Sequence, residues 1–193
     1  MIESSIFRKI NEIESKIISE SLGKISIKFL KFLEEFKKKL YISIIDSNRK
    51  AQYPKIYLVS DDLLGIIDLN EFKDKIYSTS LFFGFIKKSI FYLSLEGAEF
   101  LYKQGTFTNF NFIYLNRKGE KSVLYGNHIL KKMVAKTSTK LEQGDFILFL
   151  NNEDEILAIG QSKVDINTLQ NAKPNDIIAL NLSDKGIYLR EKQ

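Results

Sequence analysis

The sequence contains no cysteine and only one histidine, His128. The lack of cysteine excludes disulfides, thiol nucleophiles and cysteine-based zinc sites, and a single histidine excludes a metal centre with two or three histidine ligands. No nucleophile or acid stands at a recognisable spacing from His128, which we therefore interpret as a capping or packing residue. No apolar run approaches the ~20 residues of a membrane-spanning helix, and the N-terminal residues lack the pattern of a signal peptide. We therefore expect a cytoplasmic protein without a membrane partner.

The composition is that of a globular protein with a sizeable core. The 193 residues are 44 % hydrophobic and 27 % charged, which is ordinary for a soluble fold of one large domain or two small ones. The net charge of +5 is compatible with a nucleic-acid partner but does not demonstrate one.

The first half of the chain alternates helical and strand-like segments. Apolar residues recur at helical spacing over 4–22 and 25–40, which predicts two amphipathic helices, with Gly23 ending the first. Short β-prone runs predict strands, and one further run predicts a helix: strands at 41–45, 55–59, 81–86 and 90–93, and a helix at 97–103.

Two features of this half have both a functional and a plain interpretation. Asp61 and Asp62 follow Ser60, and first-turn acids behind a capping serine are a more usual explanation than a catalytic pair. The aromatic residues within 81–93 resemble a base-stacking platform of the kind found in some RNA-binding sheets. Since so continuous an apolar run is more often core, we favour that interpretation.

The pattern changes at Thr106–Asn109, which we predict to be the boundary between domains 1–108 and 109–193. Beyond it, short β-prone runs alternate with turn residues, as expected of a small β-barrel or sandwich. The predicted elements include strands at 110–115, 122–125 and 187–189 and a turn at 116–119.

The segment Leu124–Lys132, which reads Leu-Tyr-Gly-Asn-His-Ile-Leu-Lys-Lys, carries the candidate chemistry. Gly126 permits an unusual turn, and Asn127 is a good N-cap for a short helix that would contain Lys131 and Lys132. Backbone N–H groups at such a helix start can hold a phosphate. A plain strand–turn–helix with solvated lysines explains the same residues equally well.

The same string resembles the signature of the Nip-seven ribosome-biogenesis family, in its archaeal type. The resemblance extends from about residue 78 to the C-terminus, and over residues 1–77 only the order of elements agrees. The other matching residues are Phe83-Gly84-Phe85, Lys87-Lys88, Ile159-Gly160, Pro174, Asp184, Gly186 and Tyr188-Leu189-Arg190-Glu191.

The resemblance implies an α+β fold, in which an N-terminal α/β pre-PUA domain with an antiparallel sheet precedes a C-terminal PUA pseudobarrel. It implies an RNA-binding assembly factor of the large ribosomal subunit, active in pre-rRNA processing, with no catalytic activity, cofactor or metal. The expected partners are single-stranded rRNA or pre-rRNA and ribosome-assembly proteins or an RNA-processing complex. A eukaryotic member would be nuclear or nucleolar.

The resemblance also places an RNA-binding surface after Ile159-Gly160, where residues 161–173 keep Lys163 and Lys173 as cations. So few cations predict modest, salt-sensitive binding. The full set of predicted RNA-binding residues is Gly126, Asn127, Lys131, Lys132, Lys163, Lys173 and Arg190. Two alternatives stay open: a protein-interaction adaptor that binds RNA incidentally, and an accessory protein of an RNA-modification system.

Overall fold

The structure, a computed structural model, describes residues 4–46, 53–67, 80–106 and 111–190. The chain divides into two compact units, Met1–Phe107 and Thr108–Gln193, which we call unit 1 and unit 2. The predicted domain boundary between residues 108 and 109 lies outside the described residues. Within the described ranges, no helix has the length and apolar character needed to cross a membrane.

Unit 1 is built on an antiparallel sheet whose strand order follows the chain, β1-β2-β3-β4-β5. Its described elements are β1 (Ser4–Lys9), α1 (Glu12–Ile25), α2 (Lys28–Phe36), β2 (Leu40–Asp46), β3 (Lys55–Leu58), α3 (Asp61–Ile67), β4 (Leu81–Lys87), β5 (Ile90–Leu93) and α4 (Leu95–Lys103). The strands predicted at 41–45, 55–59, 81–86 and 90–93 are therefore confirmed, and β4 and β5 form a hairpin. The helix α3 follows Ser60, as predicted, with Asp61 and Asp62 in its first turn.

The predicted helix at 4–22 is wrong at its N-terminal end, because residues 4–9 form β1 and pair with β2. The helix begins only after Asn11, whose side chain accepts a hydrogen bond from the Glu14 N–H at 2.9 Å. The Glu14 carboxylate in turn accepts one from the Asn11 N–H at 2.8 Å. This reciprocal cap satisfies two N–H groups that a helix start leaves free, and so sets the boundary between strand and helix.

The second predicted helix, at 25–40, is divided in the structure. The helix α1 passes Gly23 and ends at Ile25, and α2 begins at Lys28. Leu40 already belongs to β2, where it pairs with Leu58. Pairing within a sheet overrides a helical periodicity that short apolar segments satisfy equally well.

The sheet of unit 1 is covered unequally on its two faces. Helix α2 packs on one face, where Phe32 stacks against Phe83 of β4 with ring centroids 6.2 Å apart. On the other face, a smaller cluster made by Phe7, Tyr41, Tyr57 and Val59 packs against Leu63, Leu64 and Phe82. Leu63 and Leu64 belong to α3, so this short helix covers part of the second face.

Unit 2 is a barrel-like sheet with strand order β7-β11-β10-β9-β6-β8. Its described elements are β6 (Phe112–Leu115), α5 (Arg117–Leu124), β7 (Ile129–Leu130), β8 (Val134–Thr137), β9 (Phe146–Leu150), β10 (Ile156–Ser162), α6 (Ile166–Asn171), β11 (Ile177–Asp184) and α7 (Ile187–Arg190). The pair β6–β9 is parallel and the other neighbours are antiparallel. The predicted α+β class, with an antiparallel sheet in unit 1 and a barrel in unit 2, is confirmed.

Three short predictions in unit 2 are wrong. The turn at 116–119 and the strand at 122–125 form the single helix α5, because the Asn116 side chain accepts the N–H groups of Lys118 and Gly119 and caps it. Gly119 and Val123, four residues apart, face the core. The strand predicted at 187–189 is instead α7.

The ion pair that joins β1 to α1 should make the protein sensitive to acid. Burial raises the pKa of Glu14, but hydrogen bonds from the Arg8 side chain and the Asn11 N–H outweigh it and hold the pKa below its ordinary value. A lowered folded-state pKa stabilises the fold above the unfolded value of about 4.5, and this stabilisation is lost as the pH falls through the folded value.

We therefore expect Glu14→Gln, whose amide can still close the cap but loses the charged contact with Arg8, to cost about 1 kcal/mol of unfolding free energy at pH 7, and clearly less at pH 3. Urea unfolding of the wild type and the variant at both pH values measures this. Glu20→Gln is the control, because it removes a carboxylate that is exposed on the same helix. The Glu20 Oε1 atom lies 3.9 Å from Lys16 Nζ, in an ion pair whose two side chains are exposed. An equal loss at both pH values for Glu14→Gln would contradict the account.

Candidate nucleic-acid interface

The segment Leu124–Lys132 runs from the end of a helix through a turn into a short strand and then into the 3-10 turn Lys131–Met133, instead of the predicted strand–turn–helix. Helix α5 ends at Leu124, Gly126 adopts a φ of +84°, and β7 begins at Ile129. The Gly126 N–H donates to the Val123 carbonyl at 2.9 Å, and the Asn127 N–H donates to the Ser122 carbonyl at 3.3 Å. This is a Schellman motif, in which a glycine ends the helix and two carbonyls of the last helical turn accept hydrogen bonds from the residues that follow.

Asn127 is therefore not an N-cap. Its N–H helps to end α5, and the chain continues from it into β7. The hypothesis of a phosphate site at a helix start in this segment is wrong, because the helix end points its carbonyls, not its N–H groups, toward the turn.

A hydrogen-bonded cluster, which we call the latch, fixes this turn to the end of the chain. The Arg190 guanidinium donates to both oxygens of Asp184 at 3.0 Å and also to the Leu124 carbonyl. Asp184 is only 3 % exposed and accepts a further hydrogen bond from the Gly186 N–H at 2.9 Å. The hydrogen bond to Asp184 raises the pKa of Arg190 above its already high value. Arg190 therefore has a structural role, and a contact with RNA stays a prediction.

Asn181 of β11 extends the latch to the predicted motif. Its side-chain amide donates to Asp184 at 3.0 Å, to the Val123 carbonyl at 3.1 Å and to the Asn127 carbonyl at 3.4 Å. Its backbone N–H donates to His128 Nδ1 at 3.2 Å. His128 is exposed and accepts this hydrogen bond through Nδ1, a structural contact of the kind expected of the predicted capping or packing residue.

Two glycines leave room for the latch. A Cβ on Gly186 would overlap the carbonyl oxygen of Leu124, so no larger residue fits between α5 and α7. A Cβ on Gly126 would lie 3.3 Å from Arg190 Nη2, and its positive φ strains other residues in any case. Both glycines of the family-like pattern are thus explained by the approach of Arg190 to the end of α5.

The structure brings three of the predicted lysines together around the loop before β11. The N–H groups of Lys131 and Lys132 donate to the carbonyls of Asp176 and Pro174, at 2.9 and 3.0 Å. Lys132 Nζ reaches the Asn175 side chain at 2.7 Å. The Lys173 N–H donates to the Asp176 carboxylate at 2.8 Å and closes the loop.

Lys163 lies at the same end of the sheet. It is exposed, directly follows β10 and donates its N–H to the Ile178 carbonyl, at the start of β11, at 2.9 Å. We call Lys131, Lys132, Lys163 and Lys173 the lysine end of unit 2. The latch lies at the other end of β11, whose eight residues span roughly 20 Å.

The predicted site is thus two separate places on unit 2. The lysine end holds four of the seven predicted residues, and the latch holds Gly126, Asn127 and Arg190. The lysine end has four cations, three of them exposed, beside two acids, Asp176 and Asp165. The two carboxylates accept the N–H groups of Lys173 and Thr168, and the surplus of cations is suited to a polyanion such as a phosphate backbone.

Two cations that adjoin the lysine end were not predicted from the sequence. Arg117 and Lys118, both exposed, open helix α5. Asn116, which caps this helix, donates through its side chain to the Lys132 carbonyl at 2.7 Å. Their position beside the lysine end could not be predicted, because residues 116–119 were interpreted as a turn and are in fact the start of a helix.

Tyr125 is the other residue that sequence reasoning passed over. It stands between Leu124 and Gly126, and its side chain is 76 % exposed. An exposed ring can stack on an unpaired base. Its position inside the family-like string was a signal that could have found it.

The described residues contain no group of three or more histidine, aspartate or glutamate side chains placed to hold a metal ion. The arrangement at the lysine end offers charge and hydrogen-bond donors, which bind and orient an anion.

Comparison with known proteins gives the following likenesses. Residues 111–193 match the family described as "UPF0113 PUA domain". Over 186 residues, 96 % of this chain and 97 % of the relative, the chain is 25 % identical to the 60S ribosome subunit biogenesis protein NIP7 of Saccharomyces cerevisiae. It is 30 % identical to a UPF0113 protein of Archaeoglobus fulgidus over 103 residues, 53 % of this chain and 56 % of that one. A solved structure of a conserved PUA domain protein from Thermoplasma acidophilum superposes on this chain with a TM-score of 0.60 and 13 % sequence identity. The superposition covers 98 % of this chain and 99 % of the other. This likeness concerns the fold alone.

The latch predicts that Gly186 does not tolerate a side chain. We expect Gly186→Ala to lower the unfolding free energy by about 1–3 kcal/mol, because the methyl group must displace the end of α5. Gly65→Ala in α3 is the control, since a Cβ there meets no atom within 4 Å, and it should be neutral or slightly stabilising. Equal stabilities of the two variants in urea unfolding would disprove the close approach.

Arg190→Lys separates a structural arginine from a phosphate contact. An ammonium keeps the charge but cannot bridge both oxygens of Asp184, so we expect a lower melting temperature than in the wild type. Lys163→Arg, at an exposed position, should leave the melting temperature unchanged. If Arg190→Lys has the melting temperature of the wild type and binds RNA with the same affinity, Arg190 is not part of a latch.

Proposed function

The chain belongs to the NIP7 family of ribosome-biogenesis proteins, and on that basis we propose that it binds single-stranded rRNA or its precursor during assembly of the large ribosomal subunit. The membership confirms the resemblance carried by the Leu-Tyr-Gly-Asn-His string. The protein acts in this proposal as a non-catalytic adaptor in the cytoplasm, and ribosome-assembly proteins are its partners.

The lysine end of unit 2 is the observation that carries the proposal. Lys163 and Lys173 are exposed, and Lys132 is exposed at the same end of the sheet. The RNA backbone contacts these cations and, beside them, Arg117 and Lys118. Phosphate contacts fix the position of a nucleic acid on a protein but carry no sequence information. The exposed ring of Tyr125 offers a stacking surface for a base.

The latch supports this function indirectly. It fixes the end of α5 and the start of β7, and β7 leads directly into Lys131 and Lys132. A side chain whose backbone is held in place loses less entropy when it meets its ligand. The family-like string therefore helps RNA binding by holding the lysines in position.

A protein-interaction adaptor is the second candidate, because unit 1 exposes large apolar side chains. Ile13 on α1 is 71 % exposed, and Ile27, between α1 and α2, is 78 % exposed. Ile13 and Ile27 lie at opposite ends of α1, and only a contiguous apolar patch marks an interaction surface, so this candidate is the weaker one. Capture of partners that survives nuclease treatment would favour this candidate, and capture lost with nuclease would favour the RNA-binding function.

Charge reversal at the lysine end tests the proposal. Each lost lysine contact costs about 1 kcal/mol in a watery environment, so we expect Lys163→Glu/Lys173→Glu to weaken binding of a single-stranded RNA roughly tenfold or more. The plot of log affinity against log salt should become less steep by about 1.4, because about 0.7 counterions are released per phosphate on single strands. Fluorescence anisotropy with a labelled oligonucleotide at several salt concentrations measures both.

Lys24→Glu/Lys31→Glu is the matched control. It changes the net charge equally, at two exposed lysines on α1 and α2 of unit 1. Equal losses in the two double variants would mean that RNA senses only the net charge, and unchanged binding in Lys163→Glu/Lys173→Glu would reject the lysine end.

A further inference from the structure

Three aromatic rings form a stacked row across the sheet of unit 1. Phe85 of β4 and Tyr92 of β5 are direct cross-strand partners. Their ring centroids lie 5.2 Å apart with an interplanar angle of 10°. On the other side of Phe85, Tyr53 stacks at 5.9 Å and 27°. We call Tyr53, Phe85 and Tyr92 the ring row.

The ring row is exposed where the same sheet face is elsewhere covered. Tyr53 is 46 % and Tyr92 41 % exposed, whereas Tyr41 and Tyr57 are 2 % and 5 % exposed. The buried pair lies in the cluster that α3 covers. The prediction that the aromatics of residues 81–93 belong to the core therefore holds for Phe83 and Phe91, which are buried, but not for Tyr92.

The surroundings of the ring row carry positive charge. Lys87 Nζ lies 4.8 Å from the centroid of the Tyr53 ring. Lys55 pairs with Phe85 and so lies on the same face, and Lys88 is exposed in the β4–β5 turn. The strands β3, β4 and β5 contain no aspartate or glutamate. These surroundings therefore favour a negatively charged ligand over a positively charged one.

The row has one ring face open for a further stacked ring. Phe85 has a ring on both sides, and Lys87 lies over Tyr53. The side of Tyr92 away from Phe85 faces the edge of the sheet, since β5 is an edge strand, and Tyr92 is 41 % exposed although α1 contacts the same strand. At this edge the Phe91 N–H donates to Ser21 Oγ of α1 at 2.9 Å. The edge N–H at Phe91 is thus already occupied, which disfavours addition of a peptide strand and leaves side-chain stacking as the available mode.

We propose that Tyr92 stacks on a base of single-stranded RNA and thereby continues the ring row, while Lys55, Lys87 and Lys88 contact the flanking phosphates. Aromatic rings flanked by cations are how single-stranded nucleic acids are held without sequence preference. This gives unit 1 an RNA contact of its own. It extends the proposed RNA binding but does not depend on the lysine end of unit 2.

Substitutions on β5 test the stacking. Tyr92→Leu keeps an apolar side chain but removes the ring, and Tyr92→Phe keeps the ring. Loss of one stacked base weakens binding roughly five- to hundredfold, so Tyr92→Leu should bind a twelve-nucleotide single-stranded RNA at least fivefold more weakly than the wild type. Tyr92→Phe should bind within twofold of the wild type.

Ile90→Ala is the matched control for a merely apolar surface. Ile90 lies two residues away on the same face of β5 and is 48 % exposed. Its substitution should leave RNA binding unchanged, with folding of all variants checked by thermal denaturation. Equal weakening by Ile90→Ala and Tyr92→Leu, or unchanged binding in Tyr92→Leu, would overturn the proposal.

Photocrosslinking of the wild-type protein locates the contact without any substitution. A single-stranded RNA containing 5-bromouridine crosslinks to rings that its bases stack on, and mass spectrometry identifies the modified peptide. We expect an adduct on Tyr92. Adducts confined to residues 111–193 would reject the stacking site and would support RNA binding by unit 2. An adduct on Tyr92, together with an unchanged RNA affinity of Lys163→Glu/Lys173→Glu, would support stacking and would reject the lysine end.

Discussion

The bidentate pairing of Arg190 with the nearly buried Asp184 is the interaction on which unit 2 depends. It joins the last described helix to the end of β11, and through the Leu124 carbonyl to the end of α5. A buried carboxylate needs a partner and several hydrogen bonds to be tolerated. Asp184 obtains them from Arg190, Asn181 and the Gly186 N–H. The turn at Gly126 and the approach at Gly186 are consequences of this one pairing.

The same pairing changes the meaning of the family-like string. Its residues Gly126 and Asn127 end a helix, and His128 accepts a backbone N–H from Asn181. Lys131 and Lys132 end the same string, and Lys163 and Lys173 join them around the loop that precedes β11. The most recognisable residues of the chain thus build the domain, and the proposed RNA surface is made by lysines that the latch only helps to position.

Much of the fold was predictable from the sequence. The strands β2 to β5 are long enough, and apolar enough, to be seen as separate runs, and the family resemblance supplied the PUA barrel. Residues 4–9 and 116–125 were predicted wrongly because caps decide their state: Asn11 starts α1, and Asn116 starts α5. In such short segments, helical and strand periodicities are satisfied by the same residues.

The candidate site was predictable only in part. All four residues of the lysine end were named from the sequence, but their meeting depends on β7, β10 and β11 being neighbours in the sheet. Arg190 was assigned to RNA because its partners, Asp184 and Leu124, could not be recognised as neighbours. Leu124 is 66 residues away along the chain.

Acylation footprinting of lysines in the presence of single-stranded RNA tests the central claim most directly, because it reports on every lysine of the intact protein at once. The account predicts that RNA protects Lys131, Lys132, Lys163 and Lys173 from acylation, while Lys24 and Lys31 react as they do without RNA. Protection spread evenly over all lysines, or absent from these four, would contradict it.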